Sequence, residues 1–201
     1  MNDTVSAPAF LDKLRAATTQ SHTNLEALPV SLSIMNPAVT NAQYALYLGL
    51  MHDVVKDAEE NIFPIAKSDI RNLDVHPKAQ FIEADLATLG TAKQNANFLP
   101  LSSKNQNITP AFALGVMYVI EGSSLGGRVI LNNINSALGH DAENGATYFA
   151  GYGGQTGSHW KAFLGALIQY EAVHNNENEI IAGANFAFDA ISSHFTENAH
   201  V

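Results

Sequence analysis

Tyr118-Val119-Ile120-Glu121-Gly122-Ser123-Ser124-Leu125-Gly126-Gly127 sits in the middle of an apolar segment that opens at Thr109-Pro110 and carries no further proline before Leu138. Threonine followed by proline is a helix cap with proline at the first helical position, so the spacing predicts one long helix from 110 to about 138. Gly122, Gly126 and Gly127 inside it each cost up to about 1 kcal/mol relative to alanine, and something must compensate. Gly122 and Gly126 are four residues apart and open one side of the helix to close approach. Either a neighbouring helix presses into that notch, or a flat ligand lies against the bared backbone; the glycines also permit a bend.

A second informative stretch lies upstream, Leu14-Arg15-Ala16-Ala17-Thr18-Thr19-Gln20-Ser21-His22-Thr23-Asn24-Leu25-Glu26. Written as a helix, Leu11, Leu14, Thr18, His22 and Leu25 fall at three- and four-residue steps and share one side, which points His22 inward. An imidazole there is either a hydrogen-bonded core residue or a metal ligand. Glu26, one turn on, is within reach of the ring and is either its orienting partner or an exposed helix charge. His52 shares a helical side with Ala45, Leu48 and Val55 and rivals His22 by pattern. The other histidines, His76, His140, His159, His174, His194 and His200, lie near helix ends, in loops or in the polar tail, where a solvated role is the expectation.

The helical period continues along the chain, and no set of alternating strands stands out. A first helix is expected from about Pro8 to Leu28, a second from the Thr40 or Asn41 cap to about Ile62, and a third after Pro77 to Leu89. A loop rich in Gly, Asn and aromatics follows from His140 to Gly157, then helices at Ser158–Val173 and Asn178–Phe195. No repeat or linker divides the chain, so a single all-α domain with an ordered core of about 8–196 is expected.

Composition narrows the chemistry. With no cysteine among 201 residues, disulfides, zinc–thiolate sites, iron–sulfur ligation and a thiol nucleophile are excluded, and any metal must be held by His, Asp or Glu. Ten Lys and Arg against nineteen Asp and Glu leave a formal charge of −9, which disfavours nucleic acid and anionic membranes as partners. The stretch Met1–Pro8 lacks the basic and apolar regions of a signal peptide, and no apolar run of the required ~20 residues is evident, so a cytoplasmic chain is expected.

Three segments together carry a resemblance: Leu14-Arg-x-x-Thr-x-x-x-His22-x-x-Leu-Glu26, Tyr118-x-x-Glu-Gly-Ser-x-Leu-Gly-Gly127, and Gly154-x-x-x-x-His-Trp160-x-x-Phe163. In order and separation they resemble bacterial haem oxygenases over roughly residues 10 to 195. The resemblance implies an all-helical bundle in which haem lies between a proximal helix, here the first, and a glycine-kinked distal helix, here 110–138. It makes His22 the axial ligand of the haem iron and Glu26 its hydrogen-bond partner. Gly122, Gly126 and Gly127 become the glycines at the haem face. Ser123 stands where many relatives place an aspartate that organises distal water, so proton delivery would fall to the Ser123 and Ser124 hydroxyls or to Asn132 and Asn133. Arg15, Lys161 and Arg128 are the candidates for pairing with the haem propionates.

The reaction so implied oxidises haem with O2 and electrons to biliverdin, CO and ferrous iron, haem being both substrate and cofactor. A neutral histidine ligand donates less electron density than a thiolate and does not strongly promote O–O cleavage. The chain has no Rossmann or flavin fingerprint and no iron–sulfur ligands, so an external donor is expected, a ferredoxin or a flavin reductase. The products would serve iron supply or the bilin chromophore of phytochromes. Two other readings use the same residues: a haem carrier or sensor without turnover, and a di-metal oxidase. For the last, the chain offers only Glu171-x-x-His174 and Glu121, short of the several inward carboxylates such a centre needs.

Overall fold

The structure is a computed structural model that describes residues 7–70, 73–91, 98–105 and 107–199. Nine α-helices occur among them: α1 (Ala7–Glu26), α2 (Pro29–Ile34), α3 (Asn41–Asp57), α4 (Phe63–Asp69), α5 (Ala79–Thr88), α6 (Pro110–Leu138), α7 (Thr147–Ala150), α8 (Thr156–His174) and α9 (Glu177–Asn198). The described residues contain no strand, only an isolated bridge between Asp141 and Gly145. Residues Met1–Ser6 and His200, which entered the sequence reading, lie outside the described residues.

Local chemistry sets the helix ends. Thr40 and Gln43 form a reciprocal capping box on α3, with the Thr40 hydroxyl accepting from the Gln43 amide and the Gln43 side chain accepting from the Thr40 amide at 2.9 Å. Thr109 caps α6 by accepting from the Phe112 amide at 3.2 Å, and Gly139 ends that helix in the left-handed conformation (φ 78°). Pro29 does not merely stop α1. It occupies the first turn of α2, a short helix over residues to which the sequence pattern assigns no element.

The expected second helix, 41 to about 62, is two structures in series. After Asp57 the chain widens into a π-helical turn, Ala58–Ile62, before resuming as α4. Two carboxylates at this junction, Asp57 before the wide turn and Glu59 within it, serve different neighbours. Asp57 accepts from the amides of Leu101 and Ser102 at 2.7 and 2.9 Å, and Glu59 from those of Lys78 and Ala79 at the start of α5. Asp85 does the same for α7, taking the amides of Thr147 and Tyr148, both at 2.9 Å. These three side chains supply caps that the local sequence of α5, α7 and the 102–104 turn lacks. Burial pushes the carboxyls of Glu59 and Asp85 above the usual range, against the pull of those amides.

Helix α6 runs through the centre, packed against α9, α4, α7 and α8. It is long and apolar enough to cross a membrane by length and composition, with a mean hydropathy of 1.2 over 18 residues, yet its N-terminal half is the middle of the core. Gly115 and Gly183 set its closest contact. A Cβ on Gly115 would collide with the Ile180 carbonyl oxygen, and one on Gly183 with that of Phe112, so α6 and α9 touch backbone to backbone. Gly115→Ala is therefore expected to force the two helices apart and cost on the order of 1–3 kcal/mol or more. Urea denaturation of the variant beside the parent measures this, and an unchanged midpoint would contradict the reading.

Candidate functional site

Helices α1 and α6 both pack on α9 but make little contact with each other. They approach near Thr18 and Tyr118, where the Thr18 hydroxyl and the Arg15 charge stand beside the Tyr118 phenol. Beyond that point His22 on α1 and Gly126 on α6 are both exposed, on the two helices that flank α9. Phe188 of α9 lies against the histidine, with ring centroids 5.5 Å apart.

His22 is not the inward residue that its spacing predicted: its side chain is 56% exposed, whereas Leu14 and Thr18 are buried. Two successive four-residue steps overshoot the 3.6-residue turn and carry position 22 about 80° around the helix from Leu14. Glu26 Oε1 stands 3.3 Å from His22 Nε2. An accessible imidazole engaged at one nitrogen by a carboxylate has its other nitrogen available to a metal.

The glycines of α6, which continues as α-helix through all of them, meet three different surroundings. A Cβ on Gly126 would meet nothing within 4 Å. Gly122 receives the Trp160 indole, which would stand 3.3 Å from such a Cβ, and Gly127 is buried against the Phe149 carbonyl of α7, 2.8 Å from one. Leu125 and Val129, on the Gly122–Gly126 side, are 47% and 57% exposed. Together they form an open, apolar, low-relief strip of helix, a surface that suits a flat hydrophobic ring.

The hydroxyls expected on the distal side are turned to their own helix. Ser123 donates to the Ile120 carbonyl at 2.8 Å and Ser124 to that of Glu121, leaving only lone pairs to face outward. The Asn133 amide is spent on α2, donating to the carbonyls of Ile34 and Asn36 at 2.9 and 3.1 Å, while Asn132 is exposed. Behind Ser123 lies a cavity of about 40 Å³ lined in part by Tyr47, Lys78, Ser123 and Tyr148. It has room for a few waters, not for a porphyrin. Burial pushes the Tyr47 phenol up to about 12, and that of Tyr148 higher still, so both keep their protons at neutral pH.

Lys78 also belongs to a network that the sequence reading missed. Its ammonium lies 2.9 Å from Glu121 Oε2 and 4.8 Å from the centre of the Tyr152 ring, and the Tyr152 hydroxyl donates to the same Glu121 oxygen at 3.0 Å. The other oxygen, Oε1, is buried without a hydrogen-bond partner. Glu121 had drawn notice as a charge in an apolar helix, but its partner comes from 43 residues away and leaves no local signal.

The three candidate cations are all exposed: Arg15 makes a 3.3 Å contact with Asp12, while Lys161 and Arg128 form no ion pair among the described residues. Two histidines, His52 and His194, are buried in the core. His52 pairs with Glu83 at 2.9 Å. His194, expected to be solvated at a helix end, is buried against Asp53 at 3.1 Å, because α9 runs on to Asn198 and keeps position 194 inside its last turns.

The Heme oxygenase family model matches residues 8–197. The chain belongs to the haem oxygenase family. Its fold agrees with solved structures of three bacterial proteins. Heme oxygenase from Neisseria meningitidis, in its NO- and CO-bound forms, superposes with a TM-score of 0.72 at 24% identity, covering 94% of this chain and 91% of that one. Heme oxygenase from Leptospira interrogans gives 0.75 at 19%, covering 94% and 98%. Heme oxygenase-1 from the cyanobacterium Synechocystis, solved with heme, gives 0.68 at 19%, covering 94% and 91%. A comparison with curated proteins found no match. Membership makes this chain an all-helical oxidoreductase that degrades haem, its substrate and cofactor, with O2 and reducing equivalents.

Two substitutions separate the glycines. Gly126→Ala should gain up to about 1 kcal/mol of stability from helix propensity while weakening haem binding, whereas Gly127→Ala should lose stability through its collision with α7. Denaturation paired with haem titration checks both. Lys78→Met should cost roughly 3–5 kcal/mol, since it leaves the Glu121 charge buried and alone, and adding Glu121→Gln should recover most of that loss. Equal stability of the single and double variants would contradict it.

Proposed function

We propose that the chain binds haem in the cleft flanked by α1 and α6, where His22 would hold the iron, and cleaves it to biliverdin, CO and ferrous iron. The observation that carries this reading is an exposed histidine with a carboxylate beside it on α1, and the apolar strip that Gly126 opens on α6, on two helices that both pack on α9. Bound haem supplies both the iron at which O2 is reduced and the ring that is oxidised.

The protein's part is to hold, orient and deliver protons. Glu26 fixes the His22 ring and raises its basicity. Phe188 backs the imidazole, and Leu125, Gly126 and Val129 offer apolar surface that excludes water from one side of the ring. Arg15, Lys161 and Arg128, with the Tyr118 phenol beside Arg15, are the partners for two propionates at the cleft mouth. Ser123 and Ser124 can accept but not readily give a proton, because both hydroxyls already donate to the helix. The phenols of Tyr47 and Tyr148, which line the adjoining cavity and keep their protons, can donate hydrogen bonds that hold and orient water there, so that water carries the protons.

Electrons come from outside the chain, from a ferredoxin or a flavin reductase. The setting is the bacterial cytoplasm, and the bilin product serves phytochrome assembly or is a by-product of iron supply. Addition of haemin to wild type should give a stoichiometric Soret band that decays, on reduction in air, to a biliverdin spectrum. His22→Ala should lose the normal ligand-field bands and at least about 100-fold in turnover. A stable ferrous complex in wild type would instead favour the carrier reading.

A further inference from the structure

A second cluster of metal-ligating side chains lies away from the His22 cleft, where the loop before α5 meets the start of α8. Asp74 and His76 come from the loop and His159 from α8, and one ligand atom from each falls within 4.8 Å of the other two. Asp74 bridges them, with Oδ1 3.0 Å from His76 Nε2 and Oδ2 3.1 Å from His159 Nδ1. We propose that Asp74, His76 and His159 form a binding site for a divalent first-row transition metal ion.

The distances support this directly. Ligands about 2.0–2.1 Å from a zinc-like ion stand about 3.0–3.4 Å apart along the edges of its coordination polyhedron. Each imidazole nitrogen already stands at such a distance from the Asp74 carboxylate, His76 Nε2 from Oδ1 and His159 Nδ1 from Oδ2. The spacing of the two nitrogens needs only side-chain rotation, and the two imidazole rings, 5.9 Å apart at 78°, are not stacked on each other.

An ordinary ion-pair account leaves one atom unexplained. His159 Nδ1 is buried and close to Asp74, yet makes no aligned hydrogen bond. A buried ring nitrogen beside a carboxylate and a second imidazole, with no hydrogen bond to satisfy it, is suited to a metal. His159 is also held in position, its ring stacked on Tyr152 at 4.1 Å and 16°, while the His76 amide donates to the Tyr152 hydroxyl at 3.4 Å. Asp74 and His76 are more than half exposed, so an ion has a way in.

Two imidazoles and one carboxylate favour zinc, cobalt, nickel or ferrous iron over calcium or magnesium, and they leave coordination positions for water or an added ligand. Tyr152 carries the site's position inward, since its hydroxyl donates to Glu121 in α6. A bound ion would therefore lie one side chain away from the buried network behind the distal helix.

The test uses the haem-free full chain, so its outcome is independent of the haem reading. Calorimetric titration with Zn2+ should show one tight equivalent, and Co2+ should give visible d–d bands from a nitrogen- and oxygen-ligated site. His159→Ala and Asp74→Asn should each weaken Zn2+ binding by about tenfold or more, and the pair should abolish the Co2+ bands. His174→Ala, which alters a histidine outside the cluster, should change neither. Circular dichroism of the metal-free variants verifies their folding, with His76→Gln as a third and more exposed substitution. Undiminished Zn2+ binding in the double variant, or none in wild type, would overturn the proposal.

Discussion

The backbone contact between α6 and α9 is the constraint on which the site depends. Gly115 and Gly183 each remove the side chain that would hold the helices at ordinary spacing, and the reciprocal approach to Ile180 and Phe112 fixes α9 beneath α6. Helix α1 packs on the same α9. Because both walls of the cleft are referenced to one helix, α1 and α6 can stay apart from each other without either being loose. Ordinary helix spacing here would have to be made up elsewhere in a core where Phe10, Leu14, Leu114 and Met117 are fully buried.

Charge is used sparingly and mostly at joints. Asp57, Glu59 and Asp85 leave water to cap chain segments with no cap of their own. Desolvation works against this arrangement, as the raised Glu59 and Asp85 carboxyls record, and the paired backbone amides offset it. Lys78 and Glu121 follow the same logic in the core behind the distal helix. Their ion pair is strong evidence of specificity in placement and weak evidence of added stability.

Much of this was legible in the sequence because the deciding signals are local. The Thr109-Pro110 cap and the apolar period gave α6 its observed bounds, and His22 and Glu26 sit one turn apart and in contact. What escaped depends on distant partners. Pro29 opens a helix as well as ending one, and the π-helical turn is a tertiary adjustment inside a continuous helical pattern. The glycines of the quoted motif look alike in sequence, but Gly122 faces an indole, Gly126 open space and Gly127 a carbonyl, whereas the pair that sets the helix crossing, Gly115 and Gly183, lies outside it. His22 is exposed where its spacing predicts an inward residue, because a four-residue repeat drifts around the helix, and His194 is buried because α9 continues past it to Asn198. Lys78 and Tyr152 carry no hint of Glu121 until the fold brings them together.

A crystal structure of the chain with ferric haem bound tests the central claim most directly. The account predicts iron coordinated by His22, with Glu26 at the other imidazole nitrogen and the porphyrin lying on the Gly126 side of α6. Iron held by another residue such as His52 or His194, or a porphyrin seated away from α6, would contradict it.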